Sequence, residues 1–328
     1  MRVLARRLGF YLLAAWVALT VNFFLPRLVP GNPVATAIGH LTFVNAQVVD
    51  AIKAQFGVGV NESIWIQYIQ YWGDLAHGNL GVSWGNSFEP VTSLIGAALP
   101  WTLALLGVAT VVSFLLGTLI GIALGWLRGS WLDWVLPGAT FFQAIPYFFL
   151  GTVLLMVFAT GLHWFPISQG YQTTGLSSVT PGLNWDYLVS LVDHGVLPAS
   201  TIVLTSIAGW IMGMRNMMVI TMDEDFVLVA RAKGLPARQV VWYAARNAIL
   251  PSVANFSLAI SLVVAGQLLV EIVFSYPGIG YLLFHAVTDQ DYPMVQGIFL
   301  VITLVVLAAN FLADLVYVSL DPRARQVA

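Results

Sequence analysis

Residues 225–251 read DFVLVARAKGLPARQVVWYAARNAILP, a basic, partly polar island in a chain that is otherwise largely apolar. The stretch carries Arg231, Lys233, Arg238 and Arg246 and lies between two long apolar runs. Its pattern is that of two short helices. In the first, Asp225 and the preceding Asp223 and Glu224 lie at the N-terminal end, and Arg231 and Lys233 at the C-terminal end, as the helix dipole favours. Gly234 follows where a left-handed terminating residue is needed, and Pro236 suits the first turn of the next helix. In that helix Val241, Ala244, Ala245 and Ala248 share one face, while Arg238, Trp242 and Arg246 recur at i, i+4, i+8 on an adjacent face. The sequence therefore predicts a helix–Gly–helix elbow, small on one side and cationic on the other. On pattern alone two readings stand: a basic loop that fixes topology or binds anionic lipid, or a contact for a protein partner.

The surroundings of the elbow decide the class. The chain has 328 residues, of which 59% are hydrophobic and 9% charged, against about 25% charged in soluble domains. That composition is that of an integral membrane protein. The absence of cysteine excludes a disulfide framework, a thiolate metal site and a cysteine nucleophile. Stretches at Leu8–Leu28, Pro100–Leu127, Leu136–Thr160, Val196–Met217, Ile249–Phe274 and Gln296–Tyr317 are each long and apolar enough to span about 30 Å of hydrocarbon. The first resembles a signal peptide, but its apolar run is too long and lacks a small-x-small cleavage site, so a retained helix is expected.

With six spans and an inner N-terminus, eleven of the thirteen basic residues fall inside and only Arg27 and Lys53 outside. Both termini and the elbow are therefore expected to be cytoplasmic. A cysteine at Ser83 should label from outside and one at Ala328 from inside. Residues 29–98 form the long external segment, in which IWIQYIQYWGDL (64–75) reads as a helix at the membrane surface. Residues 161–195 read as loop, and 275–295 as a tight turn followed by a short amphipathic piece. These outer segments carry eight acids, Asp50, Glu62, Asp74, Glu89, Asp186, Asp193, Asp289 and Asp291. Gly117, Gly121 and Gly125 lie on one face of the second span and let another helix approach closely; packing inside the bundle is preferred to a dimer motif.

ARAKGL followed by RNAILP resembles the cytoplasmic coupling loop of ABC importer permeases. RRLGFYLLAAWVALTVNFFLPRLVPGNP, IPYFFLG, DEDFVLVARAKGL, FSYPGIGYLLFHAVTDQDYPMVQG and ADLVYVSLDPRAR, in that order over nearly the whole chain, resemble the dipeptide/oligopeptide/nickel permease family, and within it the first permease subunit. The resemblance implies an all-α membrane protein of the type I importer permease fold. Its six transmembrane helices would include helix 1 within 1–28, the external segment 29–98, a core at 99–322 and a tail at 323–328. The loop 224–250 would dock on an ATPase subunit, with Asp225, Ala230, Arg231, Lys233, Gly234, Leu235, Arg238, Arg246, Leu250 and Pro251 at the coupling site. Implied partners are a homologous second permease, two ABC ATPases and an external substrate-binding protein, with membrane lipid around them and no nucleic acid. ATP and Mg would sit on the ATPases and no cofactor on this chain. The location would be a bacterial or archaeal inner membrane, and the cargo peptides or short oligosaccharides. Two departures stand out. Leu228, Val229 and Ala230 occupy the positions of the general motif's Glu-Ala-Ala, and the stretch from Gly234 to Leu250 is longer than the general pattern.

The chain lacks a Gly-x-x-x-x-Gly-Lys-Ser/Thr phosphate loop, so energy has to come from another subunit and no enzyme activity of its own is expected. Its five histidines show no metal-ligand spacing. Glu271 in the fifth span is read either as a pathway or gate residue or as a structural hydrogen-bonding group, and Asp314 in the sixth as structural. Arg215 reads as a snorkelling anchor. Trp210, Met214 and Phe148 are candidates for lining a wide, mostly apolar path. An ion-coupled secondary transporter would need ionisable groups at mid-span, and the second to fourth spans have no Asp, Glu, Lys or His at their centres. A non-transporting scaffold is the remaining alternative.

Overall fold

The computed structural model describes residues 2–28, 39, 63–86, 88–173, 178–261 and 268–320. Most of 29–62, with Asp50, Lys53 and Glu62, and the tail with Arg323 and Arg325 lie outside them, as do the side chains of Arg27 and Asp314. In chain order the helices are α1 (Arg2–Leu28), α2 (Ile64–Ala76), α3 (Val91–Trp126), α4 (Val135–Ala144), α5 (Tyr147–Leu154), α6 (Trp185–Met222), α7 (Asp225–Ala232), α8 (Ala237–Ala248), α9 (Leu250–Ser261), α10 (Leu268–Val273), α11 (Ile279–Thr288) and α12 (Tyr292–Leu320). A 3₁₀ turn, Trp131–Trp134, leads into α4, and a π-helical segment, Leu155–Gly161, continues α5. Among the described residues the only strand-like feature is an isolated antiparallel bridge between Val82 and Pro90.

Among the described residues four helices, in α1, α3, α6 and α12, are long and apolar enough to cross a membrane. The pair Trp131–Ala144 and Tyr147–Gly161, bent by 100°, counts as a fifth if it is one span. The bend falls where Pro146 excludes the helical conformation from the residue before it, and Ile145 is extended, with φ −79° and ψ 129°. The third expected span is thus broken. The fifth, 249–274, is present as α9 and α10 on either side of residues 262–267, which are not described.

Two expected boundaries move outward. α3 begins at Val91 rather than Pro100, and α6 begins at Trp185 rather than Val196, so 185–195 is helix and not loop. α6 has 38 residues, about 57 Å at 1.5 Å per residue, so it exceeds a hydrocarbon core of about 30 Å. Asn184 starts it, its Oδ1 accepting from the Tyr187 N–H at 2.8 Å, and Asp186 lies in its first turn. These are helix-start signals that hydropathy does not weigh.

The chain forms two compact units, residues 1–101 with 277–311 and residues 102–276 with 312–328. In the first, Phe23 of α1 is buried between Tyr68 and Tyr71 of α2, with ring centroids 5.2 and 5.4 Å away. The Thr20 and Tyr68 hydroxyls share a hydrogen bond of 2.7 Å. The first turns of α3, α11 and the start of α12 bury Val91, Ile95, Ile279, Met294 and Ile298 together. In the second unit α3 lies along α6 on the glycine face. A Cβ at Gly117, Gly121 or Gly125 would come within 2.5, 2.7 and 2.4 Å of the Cβ atoms of Trp210, Met214 and Met218. The glycines therefore seat a helix of this same chain.

Candidate functional site

The elbow forms as its sequence suggests. α7 ends in a paired C-cap: the Gly234 N–H donates to the Arg231 carbonyl at 2.9 Å and the Leu235 N–H to the Ala230 carbonyl at 3.3 Å. This closure places Gly234 at φ +75°, the left-handed region that glycine enters without a Cβ penalty. Pro236 is the N-cap of α8 rather than a residue of its first turn. Val227 and Ala230 of α7 and Val240, Ala244, Ala245 and Ala248 of α8 are buried against Met214, Met218 and Met222 of α6. Ile122 and Trp126 of α3 pack on the same cluster. Val240 is buried in the packed face, and the half-buried Val241 packs against the same cluster.

The opposite face of the elbow is open. Arg238, Trp242 and Arg246 are exposed along α8, and Phe226, Leu228 and Val229 along α7. Lys233, Leu250 and Pro251 are also exposed, as is Asp225 at the start of α7. Arg231 lies over the Trp126 ring, 5.7 Å from its centroid, a cation–π contact that joins α7 to the end of α3. Arg128 lies 3.6 Å from Asp223, but both side chains are more than half exposed, so solvent screens this pair. Arg215 has a protein partner that the sequence did not suggest: its Nη2 is 3.6 Å from Asp133 Oδ1. Asp133 also accepts from the Gly129 N–H at 2.8 Å, which ties the turn after α3 to the C-terminal part of α6.

The proposed pathway residues do not form one lining. Met214 is fully buried over Gly121, within 3.9 Å of the Ser252 hydroxyl, so it fills the α3–α6 seam. The Trp210 ring packs edge-on against Phe114, 5.2 Å away, and Phe256, 6.3 Å away. Phe148 is 43% exposed on α5. Glu271 is fully buried on α10, where its carboxylate accepts from the Thr102 hydroxyl at 2.7 Å. That bond supplies the partner a carboxylate needs inside a span.

A further cluster, in the first unit, centres on Asp291. This buried carboxylate accepts from the Ser83 hydroxyl, from the Gly85 N–H at 3.0 Å and from the Met294 N–H at 3.2 Å, the last capping α12. The Trp84 indole N–H donates to the Gln290 carbonyl at 3.1 Å beside it. Burial pushes the Asp291 carboxyl up, and the hydrogen bonds from Ser83, Gly85 and Met294 offset that only in part. The sequence signal was the acid placed just before Tyr292-Pro293, an N-cap followed by a proline in the first turn. Its partner Ser83 has no sequence signal.

Residues 117–326 match the family described as "Binding-protein-dependent transport system inner membrane component". Over 98% of both chains the protein is 35% identical to the di/tripeptide transport system permease protein DppB of Pseudomonas aeruginosa (strain UCBPP-PA14). Over 92% of both it is 29% identical to the oligopeptide transport system permease protein AppB of Bacillus subtilis (strain 168). The matched region contains the glycine seam, the elbow and its exposed cationic face, and the chain belongs to the family of inner-membrane permease components of binding-protein-dependent transport systems.

Proposed function

We propose that this chain is one of two permease subunits that together form the translocation pathway of an ABC importer for short peptides. An external binding protein would supply the cargo, and two separate ATPase subunits, carrying ATP and Mg, would drive transport. The names of the two relatives favour peptides over the short oligosaccharides that the sequence also admitted. The distribution of basic residues favours cytoplasmic termini, an external 29–98 segment and a cytoplasmic elbow. The division into that segment, a permease core over 99–322 and a coupling loop over 224–250 is part of the same proposal.

The observation that carries the reading is the two-sided elbow. One face is packed into α3 and α6, while the other offers arginines beside exposed aromatic and aliphatic groups. A loop that only fixed topology would need neither the buried face nor the apolar exposure. An ATPase that engages the outer face and closes on ATP would displace α7 and α8 as a body. The shared cluster with Met218 and Met222 would then pass that displacement to α6.

The test is Gly234→Val in the complete transporter. A β-branched residue at φ +75° costs about 1 kcal/mol or more in the elbow. Uptake and binding-protein-stimulated ATP hydrolysis should fall while membrane insertion is unchanged. Arg238→Ala with Arg246→Ala should reduce the amount of ATPase that co-purifies. Full coupling in these variants, with loss only of binding to anionic vesicles, would return the elbow to the lipid-binding reading.

A further inference from the structure

The first three turns of α6, which the transport reading places outside the membrane, form one wall of a cleft. The segment before them folds back against it: the Gln172 N–H donates to Ser190 Oγ at 2.8 Å, and the Val179 N–H to the Gln172 carbonyl at 3.0 Å. Two cavities of about 340 and 860 Å³ adjoin here and share Pro166, Gln172 and His194. Trp185, Asp186, Ser190 and Asp193 also line the larger one.

His194 is only 8% exposed, yet it borders both cavities. Its Nδ1 lies 2.7 Å from the Ser190 carbonyl oxygen. A carbonyl can only accept, so Nδ1 carries a proton, and in the neutral ring Nε2 is left as a lone-pair acceptor. Nε2 has no hydrogen-bond partner among the described residues. Asp193, next in sequence, is exposed to the cleft, and Asp186 lies two turns earlier on the same side of the helix. Neither cavity is lined by a lysine or arginine. Asp186 also suits the positive end of the helix, but Asp193 lies beyond the first turn, where that effect has faded. The cleft thus presents negative charge and an unused acceptor. A metal ion does not fit, because no three His, Asp or Glu side chains among the described residues stand close enough to hold one.

We propose that this cleft receives the primary ammonium group of a short, extended solute, with Asp193 pairing the charge and His194 Nε2 accepting one of its N–H bonds. Asp186, about 10 Å up the helix axis, acts through its field. Given the peptide reading above, on which this inference rests, the solute is a short peptide entering by its N-terminus. The same chemistry could come from a lysine of the docked binding protein.

The experiment uses the complete transporter in nanodiscs, with trialanine and N-acetyl-trialanine as probes and saturation-transfer NMR as the readout. Trialanine should show saturation transfer and N-acetyl-trialanine little. Asp193→Asn should cut the trialanine signal at least fivefold, and Asp186→Asn should cut it less and in a salt-dependent way. Equal signals for the two probes, or a signal unchanged in Asp193→Asn, would overturn the proposal. An unchanged signal together with weaker docking of the binding protein would assign Asp193 to a lysine of that protein. Trialanine uptake by the same wild-type transporter separates the two possible failures. Uptake without a cleft signal sinks this site alone, whereas no uptake sinks the peptide reading and the site with it.

Discussion

At the scale of single residues, the glycine seam leaves no room for a side chain. A Cβ on Gly121 would stand 2.7 Å from both the Met214 Cβ and the Ile211 carbonyl oxygen, with backbone on one side and a packed core on the other. Gly121→Val should therefore cost about 1–3 kcal/mol through overpacking, seen as a lower melting temperature in detergent. Gly107→Ala on the same helix, with nothing within 4 Å, should show no such loss. Asp291 offers a second test. Because burial raises its carboxyl above the ordinary value of 3.8, the folded chain holds that proton more tightly than the unfolded one. Its contribution to stability therefore falls as pH rises from about 3.8 through the raised folded value, and levels off above it. Asp291→Asn should remove that slope while keeping the cap. Asp291→Ala should cost about 1–3 kcal/mol at neutral pH, because the Ser83 hydroxyl and the Gly85 N–H lose their acceptor. Thermal melts of the three proteins across pH would decide both points.

At the scale of elements, the elbow was legible because every part of it is local. A glycine that must be left-handed, charges sorted by the helix dipole and an i, i+4, i+8 stripe are all written within 27 residues. Helix ends were less legible, since hydropathy marks the limits of the apolar run and helices do not stop there. The head of α6 continues into polar sequence because its capping signal, Asn184 with Asp186 in the first turn, lies beyond the apolar run, while α3 simply starts before Pro100, at Val91. The break at Ile145–Pro146 was visible as a proline inside an apolar stretch, but hydropathy averages over it. Topology is tested by labelling, and here the structure changes the reporter. Ser83 is buried against Asp291, so a cysteine there would be shielded. Ala76 at the end of α2 and Gln239 on α8 are exposed. Ala76→Cys should react with an impermeant maleimide added to intact cells, and Gln239→Cys only after the membrane is opened. Reaction of both from one side would overturn the six-span orientation.

At the scale of the whole molecule, the partners of the proposed transporter have to meet surfaces this chain leaves open, and the elbow is the surface proposed above for the ATPase. The pathway was not legible. Trp210, Met214, Phe148 and Glu271 looked alike as apolar or charged residues in spans, yet packing divides them into a seam residue, a ring cluster, an exposed ring and a buried carboxylate. Such partitioning depends on which helix faces which, and one span's periodicity does not carry that. With few charges available to grip cargo, selection is expected to rest mainly on the binding protein. Calorimetry on the permease pair alone should show no solute binding tighter than about 10 µM, near −7 kcal/mol. A sub-micromolar site would show that the spans select for themselves. The final consequence comes from Pro198, inside α6. It has no N–H, so the carbonyl of His194, four residues earlier, lacks its helical donor. Below that point α6 is clamped along its flank by the glycines of α3, while above it one backbone bond is missing. Bending stiffness along this helix is therefore expected to be uneven: a torque applied at its C-terminal end would be carried through the clamped part and taken up by bending near residues 194–198. If α7 and α8 are displaced as proposed, the N-terminal tip of α6 would then be mechanically insulated from that motion.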